Sequence, residues 1–399
     1  MVTWGNIACK APWSIITIGP RGELKLCCTT NEWASHISQQ NNLLDWFNSK
    51  YYNEVRSKFS NKIWPSACVK CKNAVELKQT PSRDTPYFSF LPIKENITLH
   101  LKRPLALEFT PSNLCNQTCA MCGSNFSSKW FIHDKRAVKE GLEWRGNQPG
   151  LVNIVDKPYQ MSDNDFNKIL EILPHLEKVT LKGGEPFVEP RNIQVLEFFA
   201  NEKHNLQHLD VTSNVHSVDD YHWNLLKKIQ TKGTRIQIAA SLDGTGKIYE
   251  WIRSTPFENI FENMKKGKSL LGKHSFHVAM TVSLYNFFTV CEDIKFWHDQ
   301  DLVDFVGFNY VIGPYYASPS LLPQKTIGKI FKRYKNELSR YKTSRTDNLY
   351  KIKHNPEYLG DLKNVKPWID FVSEMRGFNI LDYQPSLKRW VSNISANCG

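Results

Sequence analysis

Cys115-Asn116-Gln117-Thr118-Cys119-Ala120-Met121-Cys122 sets three thiols in C-x3-C-x2-C spacing on one short stretch. Three thiolates on such a loop suit three irons of a cubane [4Fe-4S] cluster and leave the fourth iron without a protein ligand. An open iron can be chelated by a molecule that carries an amino and a carboxylate group. A structural zinc site normally closes with four ligands instead. The loop offers no fourth, and His133 beyond it stands at no familiar zinc spacing.

A second set of thiols comes earlier: Cys9, the adjacent pair Cys27-Cys28, and Cys68-Val69-Lys70-Cys71. Four thiolates from a hairpin and a C-x2-C loop complete either a second cluster or a zinc site. The preferred ligands are Cys9, Cys27, Cys68 and Cys71. Neighbouring residues that both continue a strand point opposite ways, so only one of Cys27 and Cys28 reaches the metal easily, and the sequence does not choose between them. These two groups take eight of the ten cysteines. Cys291, among Phe287, Phe288 and Phe296, reads as a buried helical cysteine, and Cys398 is a tail thiol.

The elements that must position these groups follow from pattern. Ser14–Ile18 and Glu23–Leu26 are short strands joined by the turn Gly19-Pro20-Arg21-Gly22, a β-hairpin. An amphipathic helix is expected over Leu43–Phe59, and a Pro/Ser/Thr-rich linker over Gln79–Pro86. From Leu105 onward, strands and helices alternate. Strands are expected at Leu105–Phe109, Lys178–Leu181, His208–Thr212, Arg235–Ala240, His277–Val282 and Phe305–Tyr310, with a helix such as Asp163–Leu173 capped by Ser162 between them. That alternation argues for parallel βαβ units, enough for a partial α/β barrel and too few for an eightfold one. The chain beyond Pro323 reads as mostly helical and basic. The expected partition is a cysteine-rich module at 1–86, a barrel at 87–322 and a helical extension at 323–399.

With 41% hydrophobic and 12% aromatic residues, the 399-residue chain has a globular composition. No apolar run approaches the roughly 20 residues that span a bilayer, and the N-terminus lacks a secretory layout. The expectation is a cytoplasmic protein, where grouped cysteines bind metal in preference to forming disulfides. The formal charge of +12 favours an acidic partner, but no nucleic-acid motif accompanies it.

Placed after the strand Leu105–Phe109, the C-x3-C-x2-C loop resembles that of the radical S-adenosylmethionine (SAM) superfamily. The family usually carries an aromatic residue where this chain has Met121. Lys182-Gly183-Gly184-Glu185-Pro186, one βα unit later, is similar to the family's GGEP segment, which contacts the methionyl amino group. Softer matches are Ser213 and Asn214 after the third strand, and Ser241 with Arg253 after the fourth, which are similar to the carboxylate-binding pair of peptide-modifying members such as anaerobic sulfatase-maturating enzymes. Asn286 and Asn309 are candidates to line the same pocket. The early cysteines resemble SPASM/twitch modules, which carry auxiliary [4Fe-4S] clusters and usually follow the barrel. Phe371, Arg376-Gly377 and Pro385 also resemble twitch-bearing relatives, and the resemblance covers most of residues 5–315.

The resemblance implies a partial (β/α)6 barrel and the cofactors SAM, a SAM-binding [4Fe-4S] cluster and an auxiliary cluster. It implies reductive cleavage of SAM to a 5′-deoxyadenosyl radical that takes hydrogen from a substrate. The expected substrate is a peptide or protein, undergoing oxidative modification or cross-linking, with electrons from a flavodoxin or ferredoxin. A sugar, nucleotide or other small molecule is the alternative substrate. A zinc-stabilised protein that binds nucleic acid without catalysis is the alternative of another class.

Overall fold

Short apolar or alternating runs form strands in this chain, and amphipathic stretches form its helices. The computed structural model describes residues 9–30, 32–78, 81–84, 88, 91–92, 103–142, 157–272, 274–338, 341, 343–344 and 350–397. Cys398 and most of the flanks of the expected linker lie outside them. Two compact units interleave along the sequence. The first comprises Met1–Ser112, Tyr159–Val211 and Asn224–Ile236; the second comprises Asn113–Pro158, Thr212–Trp223 and Gln237–Gly399.

In the first unit, β1 (Ile15–Ile18) pairs antiparallel with β2 (Glu23–Lys25), and β2 with β3 (Ser35–His36). On its other side β1 pairs parallel with β4 (Ala106–Phe109), which continues parallel to β5 (Lys178–Leu181) and then to β6 (His208–Ser213). The hairpin turn needs a glycine at its end. Gly22 has φ +87°, and a Cβ there would lie 2.8 Å from His36 Nε2 and 2.9 Å from Ile37 Cγ2.

The helix expected over Leu43–Phe59 is two helices, Leu43–Phe47 and Lys50–Ser60. Asn48-Ser49 breaks it, because residues of this type compete for local backbone groups. Asn48 closes the first helix on Leu44 O, and Ser49 Oγ caps the second by accepting from Tyr52 N. The second helix carries Arg56, which is fully buried. Its guanidinium donates to Pro12 O at 2.9 Å and Phe47 O at 2.7 Å and lies 4.6 Å from the Phe47 ring centroid. One side chain thus fastens the segment that follows Cys9 to both helices.

In the second unit, β7 (Arg235–Ala240), β8 (Phe276–Val282), β9 (Val306–Tyr310) and β10 (Thr343–Ser344) pair in parallel. The first two residues of β7 belong to the first unit, and the last two of β6 to the second. Burial alternates along β6, β7 and β8, so each strand has one apolar and one more polar face. Strands β4 to β9 fall within a residue or two of the six expected, the number in a partial (β/α)6 barrel, and the architecture is α/β with mostly parallel pairing. The tail carries the helices Gln324–Glu337, Leu362–Arg376 and Pro385–Asn397. Strand β10 within it was not anticipated. Two residues are too few to show a period. Among the described residues no helix is long and apolar enough to cross a membrane.

Replacing Arg56 by Met keeps the apolar stem and leaves two buried carbonyls unanswered. Arg56→Met is expected to lower unfolding free energy by about 2–4 kcal/mol, read by denaturant titration. An unchanged midpoint would show that the fastening contributes nothing.

Candidate functional site

The loop Asn113–Ser128 has no helix or strand of its own, so other elements must answer its backbone polar groups. Thr118 N donates to Ser254 Oγ at 2.8 Å, and Ala120 N to Ile252 O at 2.7 Å. Trp130 Nε1 donates to Cys119 O at 3.1 Å, and Trp368 Nε1 to Ala120 O at 3.0 Å. The Arg376 guanidinium donates to Thr118 O, to Thr118 Oγ1 at 3.0 Å and to Trp251 O at 2.9 Å. Ser128 Oγ accepts from Cys115 N, and Ser127 Oγ donates to Gln117 O. Cys115 and Cys119 are buried and Cys122 is half-buried.

Arg253 ends the helix Gly246–Arg253, where the left-handed Ser254 (φ 64°) turns the chain. Its Nη1 lies 3.6 Å from Cys119 Sγ, and its Nη2 lies 2.6 Å from Asp243 Oδ2. Burial opposes the charge on Arg253, yet Asp243 and then Cys119 outweigh it and hold the guanidinium well above its ordinary pKa. Burial also pushes the Cys119 thiol up against the pull of Arg253. A bare thiolate is therefore disfavoured here without further positive charge, which the irons of a cluster supply. Arg253 Nε is buried without a hydrogen-bond partner, a donor suited to an anionic ligand such as a carboxylate. The three-thiol set and this orphaned donor fit a cluster with a carboxylate-bearing ligand.

The other residues expected in this unit take varied roles. Asn214 Nδ2 donates to Asn116 Oδ1 at 2.7 Å, which ties the end of β6 to the cysteine loop, and Asn116 Nδ2 donates to Ser217 Oγ. Ser213 is buried, its Oγ accepts from Val215 N and its carbonyl accepts from Ser241 N at 2.8 Å. Met121 is half-buried in the turn before Cys122. The Asn286 amide is spent on Asp243 O and Thr281 O, while Asn309 is exposed. Sequence reasoning did not pick out Asp243, Trp130, Ser254 or Trp368, and it noted Arg376 only through the resemblance. A carboxylate ten residues before Arg253 was the one local signal available.

In the first unit, Lys182-Gly183-Gly184-Glu185 follows β5. Gly183 has φ +146°, and a Cβ there would meet Ser112 O at 3.3 Å, so a glycine is required. Glu185 is buried and one carboxylate oxygen accepts from Phe187 N at 3.2 Å. Lys182 Nζ lies 3.2 Å from Glu108 Oε1.

The same unit contains a cavity lined by Cys9, Cys27, Cys68 and Cys71, with Trp64 and Arg83 beside them. Arg83 lies over the Trp64 ring at 4.9 Å. Burial pushes the thiols of Cys9 and Cys27 up to about 12, and that of Cys68 up as well. Four thiols lining one apolar cavity, three of them resisting charge, suit a metal group whose own positive charge would hold them as thiolates. Among the described residues no three His, Cys, Asp or Glu side chains converge closely enough to hold a single metal ion. Cys28 does not line the cavity. Lys25 is the last strand residue, so Cys27 and Cys28 lie beyond the extended strand, and Cys28 is exposed.

No family model and no curated protein matches this chain. Solved structures are similar over part of it. Native anSMEcpe with bound AdoMet and Cp18Cys peptide is 18% identical over 61% of this chain and 64% of its own, with a TM-score of 0.39. Streptococcus suis SuiB bound to precursor peptide SuiA is 13% identical over 72% and 63%, with a TM-score of 0.40. The radical S-adenosylmethionine methyltransferase TsrM from Kitasatospora setae, with cobalamin and a [4Fe-4S] cluster bound, is 10% identical over 52% and 37%, with a TM-score of 0.35. The chain thus spans less than two thirds of the length of each of these three.

Proposed function

We propose that this chain is a radical SAM enzyme acting on a peptide or protein, with its cluster on Cys115, Cys119 and Cys122. One observation carries the reading: a three-thiol loop, held open by borrowed hydrogen bonds, places buried Cys119 against Arg253, whose Nε has no partner. When bound, the cluster and SAM supply a 5′-deoxyadenosyl radical that abstracts hydrogen from an unactivated carbon. The chain's own residues bind and orient. Arg253, kept charged by Asp243, receives the methionyl carboxylate. Gly183 and Gly184 let backbone approach the amino group, with Glu185 beside them, while Met121, Lys182, Ser213, Asn214 and Ser241 complete the SAM contacts.

Cys9, Cys27, Cys68 and Cys71 hold an auxiliary cluster in this reading, in a module at 1–86 ahead of a barrel at 87–322 and an extension at 323–399. The peptide substrate, and an oxidative or cross-linking outcome, rest on the likeness of that module to SPASM/twitch domains. A flavodoxin- or ferredoxin-type donor supplies electrons. A cytoplasmic setting goes with the need for reduced thiols.

Anaerobic iron and sulfide quantitation, paired with a dithionite-driven assay for 5′-deoxyadenosine, tests the reading. Wild type is expected to hold about eight irons, and Cys115→Ala/Cys119→Ala/Cys122→Ala about four, with SAM cleavage abolished. Wild type with about four irons and intact cleavage would keep the enzyme and remove the auxiliary cluster. Absence of both iron and 5′-deoxyadenosine after reconstitution would sink the proposal. Arg376→Gln removes the charged fork from the Thr118 carbonyl, and its expected effect is about 10- to 100-fold weaker retention of the loop's iron, measured by chelator challenge. Retention equal to wild type would leave Arg376 without a positioning role.

A further inference from the structure

The cavity in the first unit that Cys9, Cys27, Cys68 and Cys71 line also meets two cationic residues, Lys70 and Arg83. Lys70 is exposed, and its charge is spent on water. The Arg83 side chain is only 8% exposed. It stands on the short turn Ser82–Asp84, closed by Asp84 N donating to Pro81 O at 3.0 Å. Its guanidinium lies over the Trp64 ring, 4.9 Å from the centroid, and Trp64 meets Phe59 near edge-on with centroids 6.4 Å apart. Trp64 and Phe59 line the cavity too, so an aromatic stack holds the cation in the cavity wall. Asp84 Oδ1 lies 3.5 Å from Arg83 Nε, but this carboxylate is 56% exposed and water screens it. The charge of Arg83 therefore bears on whatever the four thiols hold. That group is an anion, because four thiolates outweigh the positive charge of an oxidised cubane core, as they do that of zinc. Only the cluster becomes more negative by taking up an electron.

We propose that Arg83 sets the reduction potential of the auxiliary cluster, raising it above that of the same cluster without a buried cation in its wall. The proposal rests on the reading of these four thiols as cluster ligands. The step is a one-electron reduction: one electron passes from the reductant to the cluster, and no covalent bond forms or breaks. A fixed positive charge in an apolar wall stabilises the reduced state more than the oxidised one, so its removal makes reduction harder. A guanidinium suits the place better than an ammonium, since it is more weakly hydrated and stacks on an aromatic face.

The test uses the full-length Cys115→Ala/Cys119→Ala/Cys122→Ala protein, reconstituted anaerobically, so that the auxiliary cluster alone gives the signal. Its midpoint potential is read by EPR-monitored titration with dithionite, with and without Arg83→Gln or Arg83→Lys. Arg83→Gln is expected to disfavour reduction by about tenfold, which is about 59 mV to the negative side for one electron, at unchanged iron content. Arg83→Lys keeps the charge and is expected to shift the midpoint less. An unchanged midpoint in Arg83→Gln overturns the proposal. So does an equal shift in both variants, or loss of iron from either, since each assigns Arg83 to packing and not to charge. A parent protein that holds zinc or no metal is a separate result, which removes the auxiliary cluster and this proposal with it but leaves the radical SAM reading standing.

Discussion

The Cys115–Cys122 loop carries three thiols on eight residues without a helix or strand of its own, and the elements around it answer the backbone groups this leaves over. Its amides and carbonyls lie in protein and need partners. They find them on Ile252, Ser254, Trp130, Trp368 and Arg376, which come from three helices and the turn after one of them. Trp368 and Arg376 sit eight residues apart on one helix, about two turns, so a single face of that helix reaches the carbonyls of Ala120 and Thr118, on either side of Cys119. The loop is therefore held from outside, by side chains and carbonyls other than its thiols.

Charge completes what the hydrogen bonds begin. Cys119 is buried deeply enough that a thiolate alone is disfavoured, and Arg253 meets it without fully offsetting the burial. The Arg253 side chain is only 12% exposed and would be costly if unpaired. Asp243, 0% exposed in its side chain, supplies the pair, and Thr281 N in turn donates to Asp243 Oδ1 at 2.7 Å. The arrangement is a relay in which β8 backbone fixes a carboxylate, the carboxylate fixes a guanidinium, and the guanidinium meets the thiol. The relay leaves the Arg253 Nε without a hydrogen-bond partner, over for a ligand.

Much of this was legible in the sequence because it is local. Strands β5 and β7 fall on the expected residues and the other four differ by one residue at one end, since each is a short apolar or alternating run. The cysteine loop and Gly183-Gly184-Glu185 were legible because chemistry dictates their residue types and spacing. The supports were not. Trp368 lies 248 residues from the carbonyl it serves and Arg376 lies 258 from its own, and no pattern along the chain joins them. The split of the Leu43–Phe59 helix was missed for a different reason. The apolar spacing runs through Asn48-Ser49 unbroken, while the capping chemistry of those two residues breaks it.

Strand pairing shows how the N-terminal module is coupled to the parallel sheet. Strand β1 is hydrogen-bonded to β2 on one side and, residue for residue from Ile15 to Ile18, to β4 on the other. The hairpin is consequently an edge of the same sheet that carries Glu108 and Lys182. Beyond Lys25, the last strand residue, two adjacent thiols part company: Cys27 lines the cavity, while Cys28 is exposed and does not.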